Sequence, residues 1–373
     1  MNQNKIKILF LIPTLQGGGS ERVFTTLAQS IDPSVFEAVF VVLDGRNAFF
    51  KIKRDDIHFI DLQKPRLVKA FWAIRTLIKK EQPQIVMSTL SHLNVSMAIW
   101  SFLLSSHKTR FIARESVVMS INSKHQKYSW IFDFLTRRFY PSFDAIICQS
   151  SDMYDDLLTN YGIPSKNLHI INNPINRLDI AKKMAQKPLF AADRTSLETR
   201  RFVTVGTLTK RKGIDRLMLI LSRLDFPFVF DIIGDGIEKD NLIALSQQLK
   251  IQNKVKFWGA LDNPFALVGA ADVFLFGSHF EGFPNVLIEA GACGTPVITF
   301  DCKGGINEII QQGINGFVVP DNDLEAFSKA LFVVIKTPLD RNKIIELTQN
   351  RFDIEIIMKK YETVFKSLAP SVG

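Results

Sequence analysis

Apolar positions fall into two patterns that alternate along the chain. Runs of nearly continuous apolar residues sit at 6–12, 38–43, 57–61, 85–88, 109–113 and 145–149. Such runs, too short for helices and without polar alternation, predict strands covered on both faces. The segments between them place apolar residues at helical spacing. Strands alternating with helices predict a doubly wound parallel sheet whose ligands lie beyond the carboxyl ends of the strands.

The alternation resumes after residue 200. RFVTV leads into a loop and a helix, FVFDII into the Gly234-Asp235-Gly236 turn, VKFWG into another turn, and AADVFLF, 270–276, into a loop over 278–283. The stretch from 179 to about 200 is polar and weakly patterned and predicts a linker and surface segment. Two amphipathic helices are expected. One, 351–368, closes the chain. The other, 123–140, carries Trp130, Ile131, Phe134, Leu135 and Phe139 flanked by Lys124, Lys127, Arg137 and Arg138. Its apolar stripe reads first as a helix packed on the domain core and second as one lying on an anionic membrane; different faces can serve both.

Candidate chemistry gathers at the predicted strand ends. After the first strand, TLQGGGSERV is a glycine loop opening into a helix, with Ser20 as its expected cap and Glu21 in its first turn,. Glycines there let backbone approach a ligand and aim amides at phosphate, although a tight strand-to-helix turn uses the same residues. After the strand at 270–276 comes HFEGFPNVLIEAGACGTPVITFD, with Glu281 and Glu289 on either side of a loop-to-helix transition. Pro284 suits the first turn of that helix, whose start offers amides and a positive dipole end for a phosphate. One turn further in, Glu289 can accept hydrogen bonds from a vicinal diol such as a ribose. Asp321-Asn322-Asp323 is a DxD triplet, read here as the cap of a helix starting near Leu324 rather than a metal site,.

The string EGFPNVLIE, followed by AGACGTPVI, resembles the signature of glycosyltransferase family 4, the retaining, nucleotide-sugar-dependent enzymes of the GT-B fold. The resemblance implies an α/β chain of two Rossmann-like, doubly wound parallel-sheet domains facing across a cleft. The acceptor-binding domain is placed at 1–178, with a C-terminal helix at about 353–373 crossing back to it, and the donor-binding domain at 179–352. It assigns Glu281 and the residues after it, Gly282, Phe283, Pro284, Asn285 and Val286, to the donor sugar, and Glu289 to the ribose. Gly18, Gly19, Glu21 and Arg22 match the family's Gly-Gly-x-Glu-Arg loop, which faces the donor diphosphate and acceptor. Lys212-Gly213 matches the diphosphate clamp. Thr207 stands where that clamp carries an arginine, so Lys210 or Arg211 must replace the charge, or the Thr207 hydroxyl must serve. ARESVVMS has Arg114, Glu115 and Ser116 where the family often has a histidine, which leaves Glu115 either a catalytic residue of unassigned role or one half of an ion pair with Arg114 or another local cation. Lys212, Glu281 and Glu115 are the candidate catalytic residues. The implied reaction needs no metal and no cofactor beyond its nucleotide-sugar substrate.

Composition narrows the partners. The formal charge is +9, and residues 1–178 hold 22 Lys and Arg against 14 Asp and Glu, so nearly all the excess is in the first half. No RNA- or DNA-binding module accompanies it, so a nucleic-acid partner is not expected; an anionic membrane surface and a glycan or lipid-linked acceptor are. Cys148, Cys293 and Cys302 lack any metal or disulfide spacing and read as buried thiols in a reducing compartment,. The expected setting is cytoplasmic, peripheral at the inner face of the plasma membrane. The reaction expected is transfer of a hexose or N-acetylhexosamine from a UDP-sugar in cell-surface glycan synthesis. The alternatives are a donor-binding subunit without turnover and a nucleotide-sugar epimerase of the same fold.

Overall fold

The computed structural model describes residues 5–104, 109–124, 128–186 and 199–369. The chain forms two compact units, residues 1–174 with 354–373, and residues 175–353.

In the first unit the order is β1 (Ile6–Ile12), α1 (Gly19–Ser30), β2 (Phe36–Val42), β3 (His58–Asp61), α2 (Leu67–Glu81), β4 (Ile85–Thr89) and α3 (Ser91–Leu104). It continues with β5 (Arg110–Arg114), α4 (Met119–Lys124), α5 (Ser129–Phe139), β6 (Ala145–Cys148), α6 (Ser151–Tyr161) and β7 (Leu168–Ile170). The strands form one sheet in the order β3-β2-β1-β4-β5-β6-β7, parallel throughout. Because successive strand residues point to opposite faces, β1 feeds two cores: Leu9 and Leu11 enter one, Ile8, Phe10 and Ile12 the other,. This is why the run has no polar alternation. Helices α2, α3, α5 and α6 cover the first core.

The second unit begins with α7 (Arg177–Met184), β8 (Arg200–Val205), α8 (Ile214–Leu221), β9 (Phe228–Ile233), α9 (Lys239–Gln248), β10 (Val255–Gly259) and α10 (Phe265–Ala270). Then come β11 (Val273–Phe276), α11 (Asn285–Ala292), β12 (Val297–Phe300), α12 (Ile306–Ile309), β13 (Gly316–Val319), α13 (Leu324–Lys336) and α14 (Arg341–Phe352). Its sheet, β10-β9-β8-β11-β12-β13, is again parallel. The last helix, α15 (Ile354–Leu368), belongs to the first unit, where Ile357, Tyr361 and Phe365 join α1 over the second core.

Three local expectations change. Ala270 ends α10, and β11 starts only at Val273. The expected linker opens inside α7, which starts at Arg177 and whose cap, the Asn176 side chain, accepts the Asp179 amide at 3.0 Å just ahead of the polar stretch; 187–198 lie outside the described residues,. The closing amphipathic segment is divided at Asp353, whose extended backbone (ψ 143°) ends α14 before α15 begins.

Candidate functional site

In a sheet of this order the strand sequence reverses at one point, where the loops leaving two neighbouring strands diverge and open a crevice. In the second unit that point lies between β8 and β11. The loops leaving them, 206–213 and 277–284, carry Thr207, Arg211, Lys212 and Glu281.

Glu281 is buried, with 8% of its surface exposed, and its carboxylate is shared three ways. Lys212 Nζ donates to Oε1 at 2.7 Å, Ser278 Oγ donates to the same oxygen at 2.7 Å, and Arg211 Nη1 donates to Oε2 at 2.6 Å. Burial by itself would raise the carboxyl's pKa; the charges of Lys212 and then Arg211 outweigh it and hold the group below the ordinary glutamate value,. Two cations around one carboxylate leave one positive charge on a partly open loop, since the Arg211 side chain is 37% exposed and that of Lys212 15%. Such a site can take a phosphate by charge-assisted hydrogen bonds. Arg211 thus stands beside Lys212 on the Glu281 carboxylate, whereas Lys210 and Thr207 are exposed.

Two features hold this loop pair in register. Gly213 (φ +54°) and Gly277 meet backbone to backbone: a Cβ on Gly213 would lie 2.0 Å from the Gly277 carbonyl oxygen. Arg216, buried on α8, donates from Nε to the Gly277 carbonyl at 2.8 Å and from Nη2 to that of Ser278 at 2.7 Å. Its Nη1 reaches Asp321 Oδ1 at 2.7 Å, and its guanidinium lies 3.9 Å from the Phe300 ring centre. Neither Arg216 nor Ser278 stands out in the sequence. The signal for Arg216 is a lone cation among the apolar residues of α8. Asp321 is therefore a partner of Arg216, and Asp323 caps α13 by accepting the Ala326 amide at 2.8 Å.

The residues after Glu281 divide by role. Pro284 occupies the cap position and α11 begins at Asn285, one residue later than expected, because Pro284 has a non-helical ψ of 96°. Phe283 is buried with its ring 5.8 Å from Phe352, so it belongs to the core and offers a ligand backbone only. Gly282 and Pro284 are buried, while Asn285, Val286 and Glu289 are half-buried on α11, with Glu289 one turn in.

In the first unit, the loop after β1 is organised by Glu21. Its Oε1 accepts the Thr14 hydroxyl at 2.6 Å, and its Oε2 accepts the Gly17 and Gly18 amides at 2.8 and 2.9 Å. The cap of α1 is accordingly Gly18, not Ser20, and Glu21 at the third helical position reaches back to the Gly18 amide, the half of a capping box that a glycine cap allows,. Two amides expected to face phosphate therefore bind an internal carboxylate. Gly19 opens α1 and Arg22, half-buried, follows Glu21.

Glu115 is wholly buried past the end of β5. It accepts Asn94 Nδ2 at 2.6 Å, the Tyr140 hydroxyl at 2.8 Å and the Ser91 hydroxyl at 3.1 Å. Burial raises its pKa, against the pull of these hydrogen bonds. Neither expected role describes this setting. The carboxyl is held by neutral donors, while Arg114 turns to Asn173 Oδ1 at 2.5 Å and the Tyr361 hydroxyl at 3.2 Å. An acid with no exposed surface cannot touch a bound substrate unless its surroundings open.

Residues 187–351 match the profile of the group 1 glycosyl transferases, and residues 17–177 that of glycosyltransferase family 4. A Campylobacter jejuni protein, N-acetylgalactosamine-N,N'-diacetylbacillosaminyl-diphospho-undecaprenol 4-alpha-N-acetylgalactosaminyltransferase, is 29% identical over 358 residues, spanning 92% of this chain and 93% of that one. The lipopolysaccharide core biosynthesis glycosyltransferase LpsE of Rhizobium meliloti is 25% identical over 338 residues, 88% of this chain and 89% of its own. Among solved structures, the lipopolysaccharide outer core galactosyltransferase WaaB superposes with a TM-score of 0.75 at 21% identity, covering 97% of this chain and 99% of that one. Anabaena HepE in complex with UDP-glucose gives 0.78 at 18% identity, with the same coverage of 97% and 99%.

Proposed function

Because this chain belongs to glycosyltransferase family 4 and has its two-domain GT-B fold, we propose that it moves a hexose or N-acetylhexosamine, with retention, from a UDP-sugar to a lipid-linked or polysaccharide acceptor. The observation that carries the reading is the convergence of Lys212 and Arg211 on the buried Glu281 at the switch point of the second sheet. The transfer breaks the bond between the anomeric carbon and a diphosphate oxygen and forms one from that carbon to an acceptor hydroxyl oxygen. The hydroxyl proton leaves with the departing diphosphate on the same face. Negative charge grows on that leaving group, and preorganised cations beside it lower the barrier. Lys212 and Arg211 fill that role in this reading, without a divalent ion. Glu289 accepts the ribose hydroxyls, and Glu281 fixes the two cations and faces the sugar.

The names of relatives support the setting. The Campylobacter protein's name gives a diphospho-undecaprenol-linked acceptor and an N-acetylgalactosaminyl group, LpsE is a lipopolysaccharide core enzyme, and HepE was crystallised with UDP-glucose. The proposed site of action is the inner face of the plasma membrane, in cell-surface glycan assembly. The rival reading, a subunit without turnover, draws on Thr207 and on the absent histidine at 114–116; Arg211 beside Glu281 offers a cation in place of the absent arginine and answers the first ground alone. UDP release and sugar transfer measured in chelator test the proposal. Glu289→Ala is expected to weaken UDP-sugar binding about tenfold or more, the scale of a hydrogen bond to a charged group. Strict metal dependence together with indifference to Glu289 overturns it.

A further inference from the structure

We infer that α2, α3 and α5 of the first unit form one surface that docks on an anionic phospholipid bilayer, a step that extends the membrane setting proposed above. All three helices cover the same face of the sheet. Their inner stripes, Ile74 and Leu77 on α2, Leu93 and Met97 on α3, Phe132 and Leu135 on α5, enter one core. Their rings join edge to edge: Phe71 of α2 lies 5.3 Å from Trp100 of α3, and Phe102 of α3 lies 5.9 Å from Phe139 of α5.

The outer stripe is also apolar. Trp72 is 66% exposed, Trp130 71% and Phe134 61%, and Phe102, Leu103 and Ile131 are exposed beside them. The inner stripe already buries what the core needs, so the expectation of a core helix at 123–140 holds for only one face of α5. The three helices carry six Lys and Arg against two acidic residues. The Arg75 guanidinium lies 5.5 Å from the Trp72 ring centre and that of Arg138 5.3 Å from Phe139, so long cations border the rings. Exposed Trp and Phe bordered by Lys and Arg match the boundary between headgroups and acyl chains, where aromatic rings insert and cations meet anionic lipid. A second copy of the chain fits less well. A two-fold contact would press this cationic border against itself. Among the described residues no helix is long and apolar enough to cross a membrane, so the surface is one for lying on the bilayer.

The test is co-sedimentation of the full chain with phosphatidylcholine vesicles, with and without phosphatidylglycerol. Phosphatidylglycerol is expected to raise binding about tenfold or more, and added salt to reverse the gain. The combined variant Trp72→Ala, Trp130→Ala, Phe134→Ala is expected to lose that binding while its thermal shift with UDP stays that of the wild type. No binding to either vesicle, equal binding to both, or unchanged binding by the variant overturns the inference. So does a wild-type dimer that the variant converts to monomer, which gives the face to a second copy. UDP binding is read separately: its absence in a wild type that still sediments with anionic vesicles counts against the glycosyltransferase reading and not against the surface.

Discussion

Lys212 Nζ stands 2.7 Å from Glu281 Oε1, although 69 positions separate the two residues. Adjacent strands β8 and β11 bring their loops together, and the ammonium is directed by a buried carboxylate rather than left to solvent. Lys212→Ala removes one of the two cations on Glu281, which in the proposed reading meet the diphosphate. Sugar transfer is expected to fall about 100- to 1000-fold in kcat/KM, the scale of a lost electrostatic donor, and Lys212→Arg to restore part of it. Steady-state kinetics check this, with circular dichroism to establish that the variant is folded.

The lowered pKa of Glu281 gives the second unit an acid-sensitive contribution. A carboxyl whose folded pKa is depressed stabilises the protein above the ordinary carboxylate range, and that stability drains away as pH falls through the folded pKa. Glu281→Gln leaves two cations without their counter-charge. It is expected to cost about 2–3 kcal/mol at neutral pH, low in the range for a broken buried pair because Arg211 is more than a third exposed,. Tm followed from neutral to acid pH is expected to fall less steeply in the variant; parallel curves contradict the account.

Glu115 behaves in the opposite sense. Burial raises its folded pKa, so the ionised form is penalised, and stability is lost as pH rises from the ordinary glutamate value through the folded one,. Glu115→Ala strips an acceptor from Asn94, Tyr140 and Ser91 and is expected to destabilise the first unit by about 3 kcal/mol or more,. UDP affinity, measured by calorimetry, is expected to stay unchanged. A large loss of UDP affinity in a fully folded variant would return Glu115 to the donor site.

Two glycines with nearly the same backbone angle separate strain from collision. Gly162 (φ +66°) has nothing within 4 Å of an added Cβ, whereas at Gly213 (φ +54°) the Cβ would lie 2.0 Å from the Gly277 carbonyl oxygen. Gly162→Ala is expected to cost about 1 kcal/mol, the penalty of a left-handed conformation. Gly213→Ala must displace the loop bearing Glu281 and is expected to cost more than about 3 kcal/mol and to abolish the UDP thermal shift. Denaturant titration of both variants checks the difference.

The sequence by itself determined where most of the strands run, though not β7, β12 or β13, that the central strands are covered on both faces, and that EGFPNVLIE follows a strand's carboxyl end. These features depend on side-chain period and on turn chemistry within a few residues, so neighbours along the chain settle them. Tertiary structure alone decided which partner each charged group takes. Glu21 closes on its own loop amides, Glu115 is sealed among Asn94, Tyr140 and Ser91, and Arg216 braces the loop of Glu281. It also decided that Arg211 joins Lys212 at one carboxylate and that Trp130 faces outward while Leu135 faces in. The physical reason is that a hydrogen bond or an ion pair acts over a few ångströms, and residues far apart in the chain come that close only once strand order and helix rotation are set.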